Sequence, residues 1–92
     1  MVNAIVLMTV KPDLINEIAT QLVEIPGVSE VYSVGGRFDL VAILRVPHNE
    51  ALAEIVTGRF LKIEGITDSE TLIAFKAYSK HDLERLFSIG ME

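Results

Sequence analysis

Apolar positions along the chain follow two periods, and stretches of each alternate. Val2 to Val10 is a short run rich in apolar and β-branched residues that stops at Lys11-Pro12, which predicts a strand. Pro12 suits the first turn of a helix, where its missing N–H is not needed. Leu14, Ile15, Ile18, Ala19, Leu22 and Val23 then recur at helical spacing, with Asn16, Glu17, Thr20, Gln21 and Glu24 on the other side. Pro26-Gly27 closes this helix, with Gly27 placed to take the left-handed conformation, and a second strand runs from Val28 to Val34. Gly35-Gly36 is the sharpest break in the chain and predicts a tight hairpin turn reaching toward Arg37. A third strand spans Phe38 to Val46 and ends at Pro47. Asn49 is the expected cap of a second helix, which carries Leu52, Ile55, Val56, Phe60 and Ile63 on one face. Gly65 ends that helix, Ile66 to Tyr78 reads as a fourth strand, and a short last helix follows Ser79 with Leu83, Leu86 and Phe87 as its apolar face.

The order strand, helix, strand, strand, helix, strand, with Ile25-Pro26-Gly27-Val28 echoed by Ile63-Glu64-Gly65-Ile66, is that of an α+β, ferredoxin-like βαββαβ sandwich. Residues 1–80 form one domain, and residues 81–92 a helical tail. The four strands make an antiparallel sheet with both helices on one face. The third strand is apolar on both faces: Phe38, Leu40, Ala42, Leu44 and Val46 point one way, Val41 and Ile43 the other. The first strand repeats this, with Val2, Ala4, Val6 and Met8 against Ile5 and Leu7. A sheet with one wet face alternates apolar and polar residues. Two short helices cover one face only, so the second predicts a homodimer packed sheet against sheet, a dimeric α/β barrel.

Composition narrows the function. A 50% hydrophobic, 23% charged chain of 92 residues supports a packed core and excludes disorder. Thirteen Asp and Glu against eight scattered Lys and Arg, net −5, argue against an electrostatic grip on nucleic acid. Without cysteine, disulfide frameworks, thiolate zinc sites and cysteine nucleophiles drop out. No apolar stretch approaches the ~20 residues of a membrane span, and the N-terminus lacks a basic leader, so a cytoplasmic protein without membrane contact is expected.

No catalytic set assembles. His48, beside Pro47 and ahead of a helix, suits a loop or capping role. His81 and Glu84 lie one helical turn apart but lack a third ligand, and Asp68 with Glu70 reads as a solvated strand start. No enzyme, metal or cofactor is expected. The informative stretch is Gly35-Gly36-Arg37-Phe38-Asp39. Consecutive glycines expose amides that can cradle a carboxylate, and Asp39 offers an acceptor to an ammonium group. Ser69 and Thr71 share one face of the fourth strand and can add hydroxyl contacts. The same residues also suit a plain glycine hairpin in which Asp39 bonds its own turn.

Pro26-Gly27-Val28, Val34-Gly35-Gly36-Arg37-Phe38-Asp39-Leu40, Leu44-Arg45-Val46-Pro47, Glu64-Gly65-Ile66 and Thr67 to Thr71 occur in an order that resembles the effector-binding (RAM) domain of the Lrp/AsnC family over residues 2–80. The resemblance implies sheet-to-sheet dimers assembling into rings, with small effectors, usually amino acids, bound where subunits meet. Carried over by position, Gly35, Gly36, Arg37, Phe38, Asp39, Ser69 and Thr71 form the effector site. Asp39 takes the amino group, the turn amides and hydroxyls take the carboxylate, and Arg37 occupies a variable slot. Regulators of the family carry a helix-turn-helix domain before this module, whereas here the module begins at Met1. The expectation is therefore a stand-alone amino-acid-sensing module that does not bind DNA directly and can mix with full-length regulators through the shared interface. Three alternatives remain: a small cofactor-free oxygenase or isomerase of the dimeric α/β-barrel type, an ACT-like amino-acid-binding module, and a purely structural assembly protein.

Overall fold

Nine uncharged residues, Val2–Val10, form strand β1, which lies inside the sheet and pairs on both sides. In this computed structural model, which describes residues 1–78 and Lys80, a 3-10 turn (Pro12–Leu14) leads into helix α1 (Ile15–Val23). Strands β2 (Val28–Ser33) and β3 (Leu40–Val46) follow. Helix α2 (Asn49–Ala53) continues as a π-helical turn (Glu54–Arg59) and a 3-10 turn (Phe60–Lys62), and β4 (Ile66–Ile73) completes the sheet. The strand order is β2-β3-β1-β4, with every neighbouring pair antiparallel. The β1-to-β2 and β3-to-β4 connections each cross one strand, in opposite directions and from oppositely directed strands. Right-handed crossovers then place both helices on the same face. This is the expected ferredoxin-like α+β sandwich.

The register sorts the strand residues by face. Ala4, Val6, Met8 and Val10 of β1 and Leu40, Ala42, Leu44 and Val46 of β3 are buried against Ile18, Leu22, Leu52, Ile55 and Phe60 of the helical layer. Pro12 opens the first helical turn, as expected.

The glycines that close the two helices carry the tightest packing. Gly27 and Gly65 have φ of +101° and +106°. A Cβ on Gly27 would lie 2.7 Å from Ile55 Cδ1 and 3.0 Å from Val46 Cγ1; one on Gly65 would lie 2.8 Å from Leu14 Cδ1 and 2.9 Å from Ile18 Cδ1. The Gly27 contact is with the second helical segment and the Gly65 contact with the first, so each helix is closed by a glycine on which the other rests. Both carbonyls also hold a strand end: Arg45 N–H donates to Gly27 O (2.8 Å), and Lys11 N–H donates to Gly65 O (2.9 Å).

Several sequence boundaries need correction. Strand β4 stops at Ile73 rather than Tyr78, because Ile73 pairs with Ala4, Ala74 N–H donates to Asn3 O, and β1 has almost no chain left to pair. Strand β2 ends at Ser33 and β3 begins at Leu40, so Gly35-Gly36 lies in a wide loop rather than a tight hairpin turn. Val34 N–H donating to Asp39 O (3.0 Å) closes that loop, leaving Phe38 outside the strand. His48, not Asn49, caps α2: its Nδ1 accepts the Ala51 amide at 3.1 Å. Val23 is 49% exposed, since it sits about 140° around the helix from Ile18, past the edge of the buried stripe. The helix expected after Ser79, with the His81–Glu84 pair, lies outside the described residues.

The reciprocal glycines predict a selective sensitivity. Gly27→Ala and Gly65→Ala should each lower the unfolding free energy by roughly 1–3 kcal/mol, from left-handed strain and overpacking together. Gly35→Ala, where nothing lies within 4 Å of an added Cβ, should stay within about 0.5 kcal/mol of the parent. Urea denaturation of the three variants checks this.

Candidate functional site

The β2–β3 loop is organised by Asp39. Its N–H donates to Met8 O (2.8 Å), its carbonyl accepts from Val34, and its carboxylate Oδ2 accepts the Val10 amide at 2.9 Å. One aspartate thus ties the loop to the far end of β1. Oδ1 makes no hydrogen bond among the described residues. Gly35, Gly36 and Arg37 are exposed, and Gly36 has φ +129°. The Arg37 guanidinium carbon sits 5.4 Å from the centroid of the half-buried Phe38 ring. The five loop residues singled out from sequence are therefore one local unit, with bare glycine backbone beside a fixed carboxylate. Asp39 bonds across to Val10 rather than only within its own turn.

Ser69 and Thr71 stand elsewhere. They pair with Met8 and Val6 on β4, at the sheet edge on the helix side. Thr71 borders a hollow of about 240 Å³ with Asn49, Leu52, Ala53, Val56, Thr57 and Ile73. Strand β1 separates β4 from Asp39, a gap of about 10 Å across two strand spacings. Within one chain the structure does not bring the loop and these hydroxyls together. The Val10 amide, which fixes Asp39, left no signal in the sequence because any residue but proline would supply it. A second polar link crosses to β4: Thr67 Oγ1 lies 2.8 Å from Thr9 Oγ1 and donates to Thr9 O at 3.0 Å.

The sheet face away from the helices has an apolar centre of Ile5, Leu7, Val41 and Ile43, flanked by Leu72 and by Tyr32, which is 48% exposed. Asn3, Thr9, Glu30, Arg45, Asp68 and Glu70 surround that centre. Asn3 Oδ1 is buried with no hydrogen-bond partner among the described residues. The Tyr32 hydroxyl donates to Glu30 Oε2 at 2.5 Å. That bond, then the Glu30 charge and some burial, raises the Tyr32 pKa above the ordinary tyrosine value, while Arg45 pulls it down. Among the described residues no group of three or more His, Cys, Asp or Glu could hold a metal ion, and no helix is long and apolar enough to cross a membrane.

With this geometry in hand, the family model of the Lrp/AsnC ligand binding domain matches residues 3–83. The chain belongs to the Lrp/AsnC family. Several solved and curated proteins are similar to this Lrp/AsnC domain. TTHA0845 from Thermus thermophilus is 40% identical with a TM-score of 0.82, covering 87% of this chain and all of that one. The HTH-type transcriptional regulator PH1916 of Pyrococcus horikoshii is 36% identical over 59 residues, 64% of this chain and 39% of the regulator. FL11 of Pyrococcus furiosus, also an HTH-type transcriptional regulator, is 31% identical over 77 residues, 84% of this chain and 50% of FL11. The chain thus spans half or less of these curated regulators. The fold, at 16% identity, is also that of transcriptional regulator NMB0573 from Neisseria meningitidis, solved as an L-Met complex (TM-score 0.76, covering 85% of this chain and 52% of that one).

Asp39 has a structural duty as well as a free oxygen, and two variants separate them. Asp39→Ala removes the acceptor of a part-buried amide and should lower stability by roughly 1–3 kcal/mol. Asp39→Asn keeps an acceptor oxygen while removing the charge and should recover more than half of that loss. Thermal and urea unfolding of the pair measures the split.

Proposed function

We propose that this Lrp/AsnC ligand binding domain senses a free amino acid, bound at the Gly35–Asp39 loop where two copies of the chain meet. The observation that carries the reading is Asp39. One carboxylate oxygen is pinned by the Val10 amide, so the other is presented in a fixed direction beside exposed glycine amides. A preset carboxylate meets an ammonium group without a large ordering cost, and glycine amides suit the carboxylate at the ligand's other end. The L-Met complex of NMB0573, a regulator of the same fold, makes an amino acid the first ligand class to test.

Ser69 and Thr71 enter the reading through a second copy. They are too far from Asp39 in one chain, and an assembled interface can bring one copy's loop to another copy's β4. The open sheet face supports such assembly. Its apolar centre and charged border have the anatomy of a protein–protein interface, and the unpartnered Asn3 Oδ1 gains a donor if a partner supplies one. Beyond β4, Phe75 and Tyr78 are 104% and 73% exposed, which extends the uncovered apolar surface. The ligand's effect would then be regulatory, through the assembly of transcription regulators built on this domain.

A thermal-shift screen of the twenty amino acids, followed by calorimetry, tests the ligand. At least one should raise the melting temperature, and Asp39→Asn should weaken its binding by roughly tenfold or more, the loss of one charge-assisted contact. No stabilisation by any amino acid, or unchanged affinity in Asp39→Asn, would sink the reading.

Sedimentation tests the assembly separately. The parent chain should be a dimer or larger at micromolar concentration. Ile43→Asp, which alters the open face and leaves the helix-side core intact, should shift it to monomer with its helical circular dichroism retained. A monomeric parent overturns the sheet-to-sheet arrangement.

A further inference from the structure

A cleft lies at the other end of the sheet from the Gly35–Asp39 loop, where the proposed function does not use it. It measures about 660 Å³, within the ~300–1,000 Å³ range of small-molecule sites. Pro26, Val46, Pro47, Ala51 and Ile55 give it an apolar floor, and Arg45, Arg59 and Glu54 stand around it. Asp39 and Arg45 are six positions apart along the β3 segment, about 20 Å at strand rise, so the cleft and the loop are separate places.

Helix geometry picks out the same spot. Five residues of the six-residue π-helical turn, all but Val56, line the cleft. Two bonds mark the turn: Thr57 Oγ1 donates to Ala53 O at 2.5 Å, and Phe60 N–H reaches back five residues to Ile55 O. A π turn is less favourable than the α-helix it interrupts, and such turns concentrate at functional sites. Here it widens the helix on the cleft side and sets Gly58 in the wall. A Cβ added at Gly58 would find nothing within 4 Å, so glycine leaves empty space there without being required by packing.

The charges define the ligand. Among the described residues the Arg59 guanidinium donates no hydrogen bond to protein, and Arg59 and Glu54 stand together at the cleft. Arg45 borders the cleft but belongs to the open-face side of β3 with Tyr32, which leaves Arg59, inside the π turn, as the anchor. We infer that this cleft is a second ligand site, for a small organic carboxylate with an apolar body, with Arg59 taking the carboxylate and the Pro26–Val46–Ile55 floor taking the body. Glu54 favours ligands that also bear a hydrogen-bond donor and disfavours dianions.

Amide NMR of the whole chain, titrated with benzoate and with its neutral isostere benzamide, tests the site. Benzoate should shift Gly27, Ile55, Thr57, Gly58 and Arg59 in a saturable way below about 10 mM, with benzamide weaker by roughly tenfold. Arg59→Gln should weaken benzoate by a similar factor, and Gly58→Leu should abolish its binding while the spectrum keeps its dispersion. Equal affinity for benzamide, shifts that never saturate, shifts confined to residues 35–39 and 69–71, or benzoate binding untouched by Arg59→Gln would each overturn the assignment. The last outcome decides the matter even if Gly58→Leu fails to fold.

Discussion

Two glycines hold the layers in place. Gly27 ends α1 and is overlain by Ile55 of the second helical segment; Gly65 ends that segment and is overlain by Leu14 and Ile18. A side chain at either position would push the helical layer off the sheet, so the separation of the layers is set at two points related by the internal repeat. The carbonyls of the same glycines hold the ends of β1 and β3 through Lys11 and Arg45. Helix closure, strand termination and layer spacing thus meet at one residue in each half. Close packing then makes the rest follow: with the spacing fixed, Val6, Met8, Leu40, Ala42 and Leu44 on the sheet are sealed to essentially zero exposure.

Placing both helices on one face decides what the other face can do. The alternation that buries Val6 and Met8 turns Ile5 and Leu7 outward, and the same holds for Val41 and Ile43 against Ala42 and Leu44. Polar residues there would have left a self-sufficient, one-sided sheet. Apolar ones leave a surface that this chain's described residues do not cover, and a one-residue slip of register could not relieve it, because both sets are apolar and the helical layer fits only one. The split of the candidate site across a single chain has the same origin. Asp39 ends up two strands from Ser69 because β1 runs between them, so a ligand gripping both must sit between copies.

Much of this was legible in the sequence, and what was not has identifiable causes. Period-2 and period-3.6 patterns mark every element, and Pro12, Gly27 and Gly65 mark the helix ends, because these signals are local. The boundaries that moved depend on neighbours. Tyr78 reads as strand by composition, yet β4 ends where β1 runs out. Gly35-Gly36 reads as a tight turn, yet the strands part at Ser33 and Leu40, and the Asp39–Val10 bond that anchors the loop joins residues 29 positions apart. His48 outcompetes Asn49 as a cap through a geometry that both side chains could adopt in principle. At the candidate site, the loop residues were visible as a motif, whereas the amide that orients Asp39 belongs to a valine that looks like ordinary strand. The π turn was invisible for the same kind of reason: apolar spacing through Ile55, Val56 and Phe60 reads as helix whether the ladder closes at four residues or five.

Strand β3 places the two candidate ligand regions at its two ends, and its construction limits how they can communicate. Leu40, Ala42, Leu44 and Val46 are buried along its whole length, and hydrogen-bonded strands flank it on both sides. A strand held this way cannot stretch, and sliding it would carry buried residues to the open face. Its ends carry further ties beyond the ladders: Asp39 to Met8 and Val10 at one end, Arg45 to Gly27 at the other. A ligand drawing on Asp39 would load the first tie. One seated against the π turn would load the Ile55–Gly27 contact and, through it, the second. The same strand carries Val41 and Ile43, the centre of the open face, so under the two proposed readings a ligand at either end bears on the element that a second copy would meet.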